Sequence, residues 1–268
     1  MSTRTPEPWS SRCEAWTDAP SASGSAARPD ASFLVFEDRP SDSPLVERIW
    51  RSYSTRAGTF LSVAASHCEI VVMRRRGTVR VTLRGPETRA TTADCPADGE
   101  WIGIRLALGT FLPDHPPNTL RDRRDMDLFA ATRRTFWLSG SAWEYPSFEN
   151  AESLVTRLAR AGVIARDPAV SAALRGTGRG SVRHVQRHFL QSTGMTMSAH
   201  RQIERVRRAA LLLQQGVAIQ DVVAEAGYFD QAHLTRSLRR WVGETPARLR
   251  RDERQLSLLY KTSHTGCA

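Results

Sequence analysis

Two groups of side chains in the C-terminal third of the chain carry donors suited to reading nucleic-acid bases. They are Arg183, Gln186 and Arg187, then His233, Arg236 and Arg240. Arginine presents two parallel N–H donors that match the O6 and N7 edge of guanine, and glutamine offers the donor–acceptor pair that matches adenine. The two groups belong to one pattern written twice. A shift of 49 residues lays His184-Val185-Gln186-Arg187-His188-Phe189 on His233-Leu234-Thr235-Arg236-Ser237-Leu238. The same shift lays Gly194 on Gly243, Thr196 on Thr245 and Arg201 on Arg250. Ser181 falls on Asp230, and both are residue types whose side-chain oxygen caps a helix N-terminus. A capped helix with arginine on its open face and glycine at its end is therefore a repeated unit.

The elements that must hold these residues follow from the apolar positions. Val182, Val185 and Phe189 mark the inner side of the first helix, and Leu234, Leu238 and Trp241 that of the second. Between them Met197 to Gln214 reads as one long helix, with Ile203, Val206, Ala210 and Leu213 on one face and Gly216 beyond its end. Such a rod spans ~27 Å, against successive major-groove faces about 34 Å apart. Ile219 to Ala226 gives a further helix, Gly227-Tyr228 a turn, and Asp230 to Val242 the second copy. Upstream, Asp167-Pro168 opens a short helix to Arg175, followed by the turn Gly176 to Gly180. That glycine run is a turn and not a phosphate loop, because no strand precedes it and no Gly-Lys-Ser/Thr follows. From Gly176 to Leu256 there are 14 arginines against seven acidic residues, which favours a polyanion-facing surface over a merely solvated one.

The rest of the chain reads differently. Residues 1–31 are rich in Ser, Ala, Pro, Asp and Arg, with few core formers beyond Trp9 and Trp16, and are expected to be a disordered arm. From Trp50 to Leu108 the period is two. Thr59 to Val63, Glu69 to Met73, Thr78 to Leu83 and Trp101 to Leu106 are short β-branched runs bounded by turn residues, the pattern of an antiparallel sandwich or barrel. After the break from Pro113 to Pro117 the spacing of Leu128, Phe129, Thr132, Phe136 and Trp137 predicts a helix. A second helix is expected after Pro146, with Leu154, Val155, Leu158, Ala161 and Val163 as a core stripe. Trp137 and Trp143 are expected to pack rather than line a pocket. The tail 257–268 is expected to fray.

The 268 residues carry a net charge of +10 and a pI near 10.5, with Lys261 as the sole lysine. That balance points to a polyanionic partner. Cys13, Cys68, Cys95 and Cys267 form no C-x-x-C pair, so neither zinc nor a disulfide framework is indicated and a cytoplasmic setting fits. No signal pattern or long apolar run appears, and neither export nor membrane insertion is expected.

The motif Ser181-x-x-x-Val185-Gln186-Arg187-x-Phe189, with Gly194 and then Arg205-Val206-x-x-Ala209-x-x-Leu212-Leu213, resembles the DNA-binding domain of the AraC/XylS family of bacterial transcription regulators. So does Ala226-Gly227-Tyr228-x-Asp230-Gln231-x-His233-Leu234-x-Arg236-x-Leu238-Arg239-Arg240, closing with Gly243-x-Thr245-Pro246-x-x-x-Arg250. The resemblance covers about 165 to 252. It implies two helix-turn-helix units bound by one monomer to successive major grooves of double-stranded promoter or operator DNA. Carried over by position, base contacts fall on Arg183, Gln186 and Arg187, and on Ala232, His233 and Arg236. Phosphate contacts include Gln231 and Thr235. Ala232 can offer a methyl group only. Leu238 stands where the family usually has Phe, and Met197 and His200 replace its usual Pro and aromatic.

Gly103-Ile104-Arg105-Leu106-x-x-Gly109 and the helices after it resemble the cupin-like sensory domains of the same family, which implies effector binding, dimerisation or both. The expected fold is thus α+β: a disordered arm 1–31, a cupin-like antiparallel β-barrel or sandwich with following helices (32–165), an all-α double helix-turn-helix domain (166–256), and a flexible tail 257–268. The expected partners are promoter or operator DNA and, through the family, RNA polymerase, a small-molecule effector and a second copy of the chain. Activation is the family tendency. No catalytic residue, cofactor or metal is expected. His67 and His115 stand alone on their segments with no His-x-His, and neither Gly-x-Ser-x-Gly nor His-Glu-x-x-His occurs. The competing readings are a cupin-like metal-dependent enzyme with a DNA-binding tail, and a nonspecific nucleic-acid-binding protein.

Overall fold

Glycine next to a residue able to adopt positive φ makes the tightest strand reversals, and two such pairs organise the β-rich region. In the computed structural model, which describes residues 33–123, 125–177 and 181–251, Arg76 and Gly77 take φ of 47° and 78° between paired Arg75 and Thr78. Ser139 and Gly140 take 48° and 75° between paired Leu138 and Ser141. Both are two-residue turns whose twist suits a hairpin. The arm 1–31, the tail 257–268 and the end of the Gly176 to Gly180 turn lie outside the described residues, as do Cys13 and Cys267.

The strands are β1 (Leu34–Pro40), β2 (Val46–Ser54), β3 (Gly58–Ser62), β4 (Glu69–Arg75), β5 (Thr78–Arg84), β6 (Thr91–Cys95), β7 (Glu100–Leu106) and β8 (Thr110–Phe111). After the short helix α1 (Pro117–Leu120) come β9 (Met126–Leu128), β10 (Thr135–Leu138) and β11 (Ser141–Glu144). A six-stranded antiparallel sheet runs β1-β2-β7-β4-β5-β9, and β3 pairs with β6. The antiparallel expectation holds. Ile49, Ile70, Leu83, Ile104 and Leu106 are fully buried, so the inner face of the sheet carries the core.

The helix expected across Leu128 to Trp137 is not there. Phe136 is buried, Trp137 is half exposed, and Leu138 is buried again, so the working period is two and the segment is the β10–β11 hairpin. Phe129, counted into that helix, is 81% exposed. Trp143 is buried and donates its indole N–H to the Leu138 carbonyl at 3.1 Å.

Helix α2 (Ala151–Arg160) buries Leu154, Val155 and Leu158 as expected, and the strand β12 (Ala165–Arg166) pairs with β8. Then follow α3 (Pro168–Leu174), α4 (Val182–Thr193), α5 (Met197–Gln214), α6 (Ile219–Glu225), α7 (Gln231–Trp241) and α8 (Pro246–Arg251). Ile203, Val206, Ala210 and Leu213 of α5 share one core with Val222 of α6, Leu234, Leu238 and Trp241 of α7, and Leu249 of α8. Val63 and Ala64, just past β3, belong to that same core.

Candidate nucleic-acid interface

Each reading helix is started by a side chain and stopped by a glycine. Ser181 accepts the His184 N–H at 3.3 Å, and Asp230 accepts the His233 N–H at 2.6 Å, three residues on in both copies. These oxygens satisfy donors the helix leaves open and set where its first turn begins. Gly194 ends α4 at φ 70°, and Gly243 follows α7 at φ 83°.

The first copy presents Arg183, Gln186 and Arg187 exposed on α4, with Phe189 wholly buried beneath. They line an open groove of about 830 Å³ whose far wall is Thr196, Met197 and Ser198 at the start of α5. Val182 does not share the inner side, being 73% exposed. It is the first helical residue, and the core reaches the helix only from Val185 onward. Asp167 ties the head of α3 to the middle of α4. Its Oδ1 accepts the Ala169 and Val170 N–H groups at the head of α3, while Oδ2 lies 2.8 Å from His188 Nδ1. The cap was legible in Asp167-Pro168; its second bond, 21 residues away, left no local signal.

In the second copy Gln231, Ala232, Arg236 and Arg240 are exposed on α7 above buried Leu234, Leu238 and Trp241. His233 is half-buried, edge-on to Tyr228 with ring centroids 5.1 Å apart. The Thr235 hydroxyl donates to the Gln231 carbonyl at 2.8 Å, so as a phosphate donor it would first release that bond. Arg240 lies over the Trp241 ring at 4.5 Å and stays exposed, so the contact steadies it without burying it. Arg205 of α5 lies 4.5 Å over the Tyr228 ring and donates to the Gly227 carbonyl, tying the rod to the turn before α7.

Residues 180–252 match a family model described as a helix-turn-helix domain. The C-terminal segment is an AraC-type helix-turn-helix domain. Over 67 residues, 25% of this chain, it is 42% identical to the HTH-type transcriptional regulator RipA of Corynebacterium glutamicum, and the match covers 20% of that relative. Among solved structures, ToxT of Vibrio cholerae is similar over 85% of this chain and 99% of its own, at 10% identity and a TM-score of 0.35. A second ToxT structure, from strain O395, gives 9% identity over 85% and 98%, with a TM-score of 0.36.

Burial pushes the Cys68 thiol up to about 12, with Glu69 adding to it, and burial pushes Cys95 up to about 11. Thiols held that far from ionisation are poor nucleophiles. Brief alkylation of the native chain at neutral pH, mapped by mass spectrometry, is expected to leave Cys68 and Cys95 unmodified until denaturant is added; labelling of either in the folded chain would show it to be accessible. His67 is lowered to about 4 by burial and by Arg105, so its 3.3 Å contact with Glu69 is that of a neutral imidazole to a carboxylate. Among the described residues no group of three His, Cys, Asp or Glu side chains could hold a metal ion. None of their helices is long and apolar enough to cross a membrane.

Proposed function

We propose that the chain is a cytoplasmic, sequence-specific transcription regulator whose helices 181–191 and 230–242 enter two successive major grooves of double-stranded DNA. In this reading residues 166–256 bind DNA, and 32–165 sense an effector or dimerise; the chain does no catalysis. One observation carries it. Two helices, capped by the same bond at equivalent residues, expose arginine at the equivalent positions 187 and 236, each opposite a buried apolar side chain, Phe189 and Leu238. A bundle whose arginines only face solvent has no reason to repeat the caps, the open face and the terminal glycines together. Arg183, Gln186, Arg187, Ala232, His233 and Arg236 are the base-facing candidates, with Gln231, Thr235 and Arg240 at the backbone or groove edge.

Selection from random duplex DNA by the full chain is the test. A consensus with two half-sites about one helical turn apart is expected, protected in footprints on one side of the duplex. Equal affinity for selected and random DNA would leave only a nonspecific binder. Arg236→Ala is expected to lower affinity for the selected site by ~1–3 kcal/mol and relax preference at one base pair. An equal loss on random duplex would reassign Arg236 to phosphate. Addition of candidate small molecules during selection tests the effector half of the proposal.

A further inference from the structure

The turn glycines that end the two copies are both seats for the β-rich region. At Gly194 an added Cβ would come within 2.8 Å of the Pro117 carbonyl carbon, and the Arg121 guanidinium donates to the Gly194 carbonyl at 2.7 Å. At the equivalent Gly243 an added Cβ would lie 3.1 Å from the Ala90 Cβ and 3.7 Å from Leu61. Beside it, the Ala64 N–H donates to the Trp241 carbonyl at 3.0 Å. The same strap, residues 61–66, also grips the rod. The Ala64 carbonyl accepts from buried Arg207 at 3.1 Å, and the Ser66 hydroxyl lies 2.7 Å from His200 Nδ1. Each reading helix is therefore fastened at both ends of one closed frame: through α5 to the other copy, and through its C-terminal turn to the β-rich region.

We propose that the β-rich region, through Arg121 on Gly194 and the 61–66 strap with Ala90 on Gly243, sets the spacing and rotation between the two reading helices and so fixes which half-site separation the protein accepts. This rests on the DNA reading above. The shared core already seats α6 to α8 on the rod, and α4 has no residue in it; attachment of both C-terminal turns to the β-rich region holds α4 and α7 in one frame before DNA is met. Pre-organisation of this kind penalises sites that demand a different geometry. Arg121 and Ala90 are positioning residues, and neither is among the base-facing candidates.

The experiment uses the full chain and a duplex it selects from a random pool. Derivatives carry one base pair inserted or deleted between the half-sites, which rotates one against the other by about 35°. For the unsubstituted chain each change is expected to weaken binding about tenfold or more, the size of a mismatched pair. Arg121→Met removes the bond at the first turn, and Ala90→Asp crowds the second. In both, the penalty is expected to shrink to about threefold or less, while Arg121→Lys, which keeps a donor toward Gly194, retains most of it. Arg121 is 43% exposed at its side chain, so its replacement tests the seam and not the core. A penalty unchanged in both variants, even with weaker binding overall, overturns the proposal. A chain that selects no duplex sequence overturns the DNA reading itself, which is a separate outcome.

Discussion

Replacing Arg105 by methionine is expected to destabilise the folded chain by about 3–5 kcal/mol, the usual result of breaking a buried ion pair from one side. Arg105 is 2% exposed and Glu69 5%; they are paired across β7 and β4, with Nε donating to Oε1 at 2.8 Å. Without the guanidinium, Glu69 keeps, among the described residues, a neutral His67 at 3.3 Å and Arg84 at 3.9 Å. The pH dependence distinguishes this from simple loss of packing. Burial alone would raise the Glu69 carboxyl, but Arg105, His67 and Arg84 hold it well below the usual carboxylate range. His67 is lowered to about 4. Both groups bind fewer protons folded than unfolded. Wild-type stability is therefore fully present above the unfolded His value of about 6.5, and falls as pH drops from there toward 4, with Glu69 adding its loss below about 4.3. In Arg105→Met, burial raises the Glu69 carboxyl unopposed by Arg105, and acid relieves the stranded charge. Urea unfolding at pH 7 and pH 5 should show the deficit narrowing in acid. A deficit equal at both, or an Arg105→Met/Glu69→Leu double variant no more stable than the single, would mean that the charge pair is not what the substitution breaks.

That pair also shows what a sequence discloses and what it withholds. The run Gly103-Ile104-Arg105-Leu106-x-x-Gly109 resembled a sensory-domain motif, and the structure gives each of its marked residues a packing reason. A Cβ on Gly103 would meet the Trp50 ring at 1.9 Å, Arg105 answers Glu69, and Gly109 sits at φ 85° with Val170 2.9 Å from where a Cβ would be. Nothing in those seven residues names Trp50, Glu69 or Val170, because strand partners are set by register over long separations. Local signals fared better. The bounds of α5, the caps Ser181 and Asp230 and the turns at Gly194 and Gly243 were all readable, since capping and glycine at positive φ act within a few residues. The false helix across Leu128 to Trp137 came from four apolar residues and Thr132 at coincidental spacing, while Ser139-Gly140, the hairpin signal, lay just past them. The strap at Val63 and Ala64 read only as the end of a strand. Its burial among α5 and α7 is a tertiary fact, and so is the burial of Arg207, lowered to about 10 by burial and then by Arg105.

Trp241→Ala is expected to cost about 3–5 kcal/mol, as for other large buried aromatics, and to silence the second copy before the first. Trp241 is 3% exposed, packed in the core that joins α5, α7 and α8, and carries Arg240 on its ring. Its counterpart in the first copy is Ser192, whose hydroxyl donates back to the His188 carbonyl at 2.9 Å and fills no comparable volume. The duplication is thus equal in its caps and glycines but unequal in its anchoring. The second reading helix depends on one large side chain, which also fixes the carbonyl that receives Ala64. Removing that side chain leaves a cavity bordered by Leu234, Leu238 and Leu249, and local opening of α7 becomes cheaper than global unfolding. In footprints of Trp241→Ala, protection of the half-site under α7 should fade at protein concentrations that still protect the half-site under α4. Trp241→Phe should keep most of both. Simultaneous loss of the two protections would show that the copies unfold as one body, and a variant as stable as the parent would show that Trp241 is not the anchor of the second.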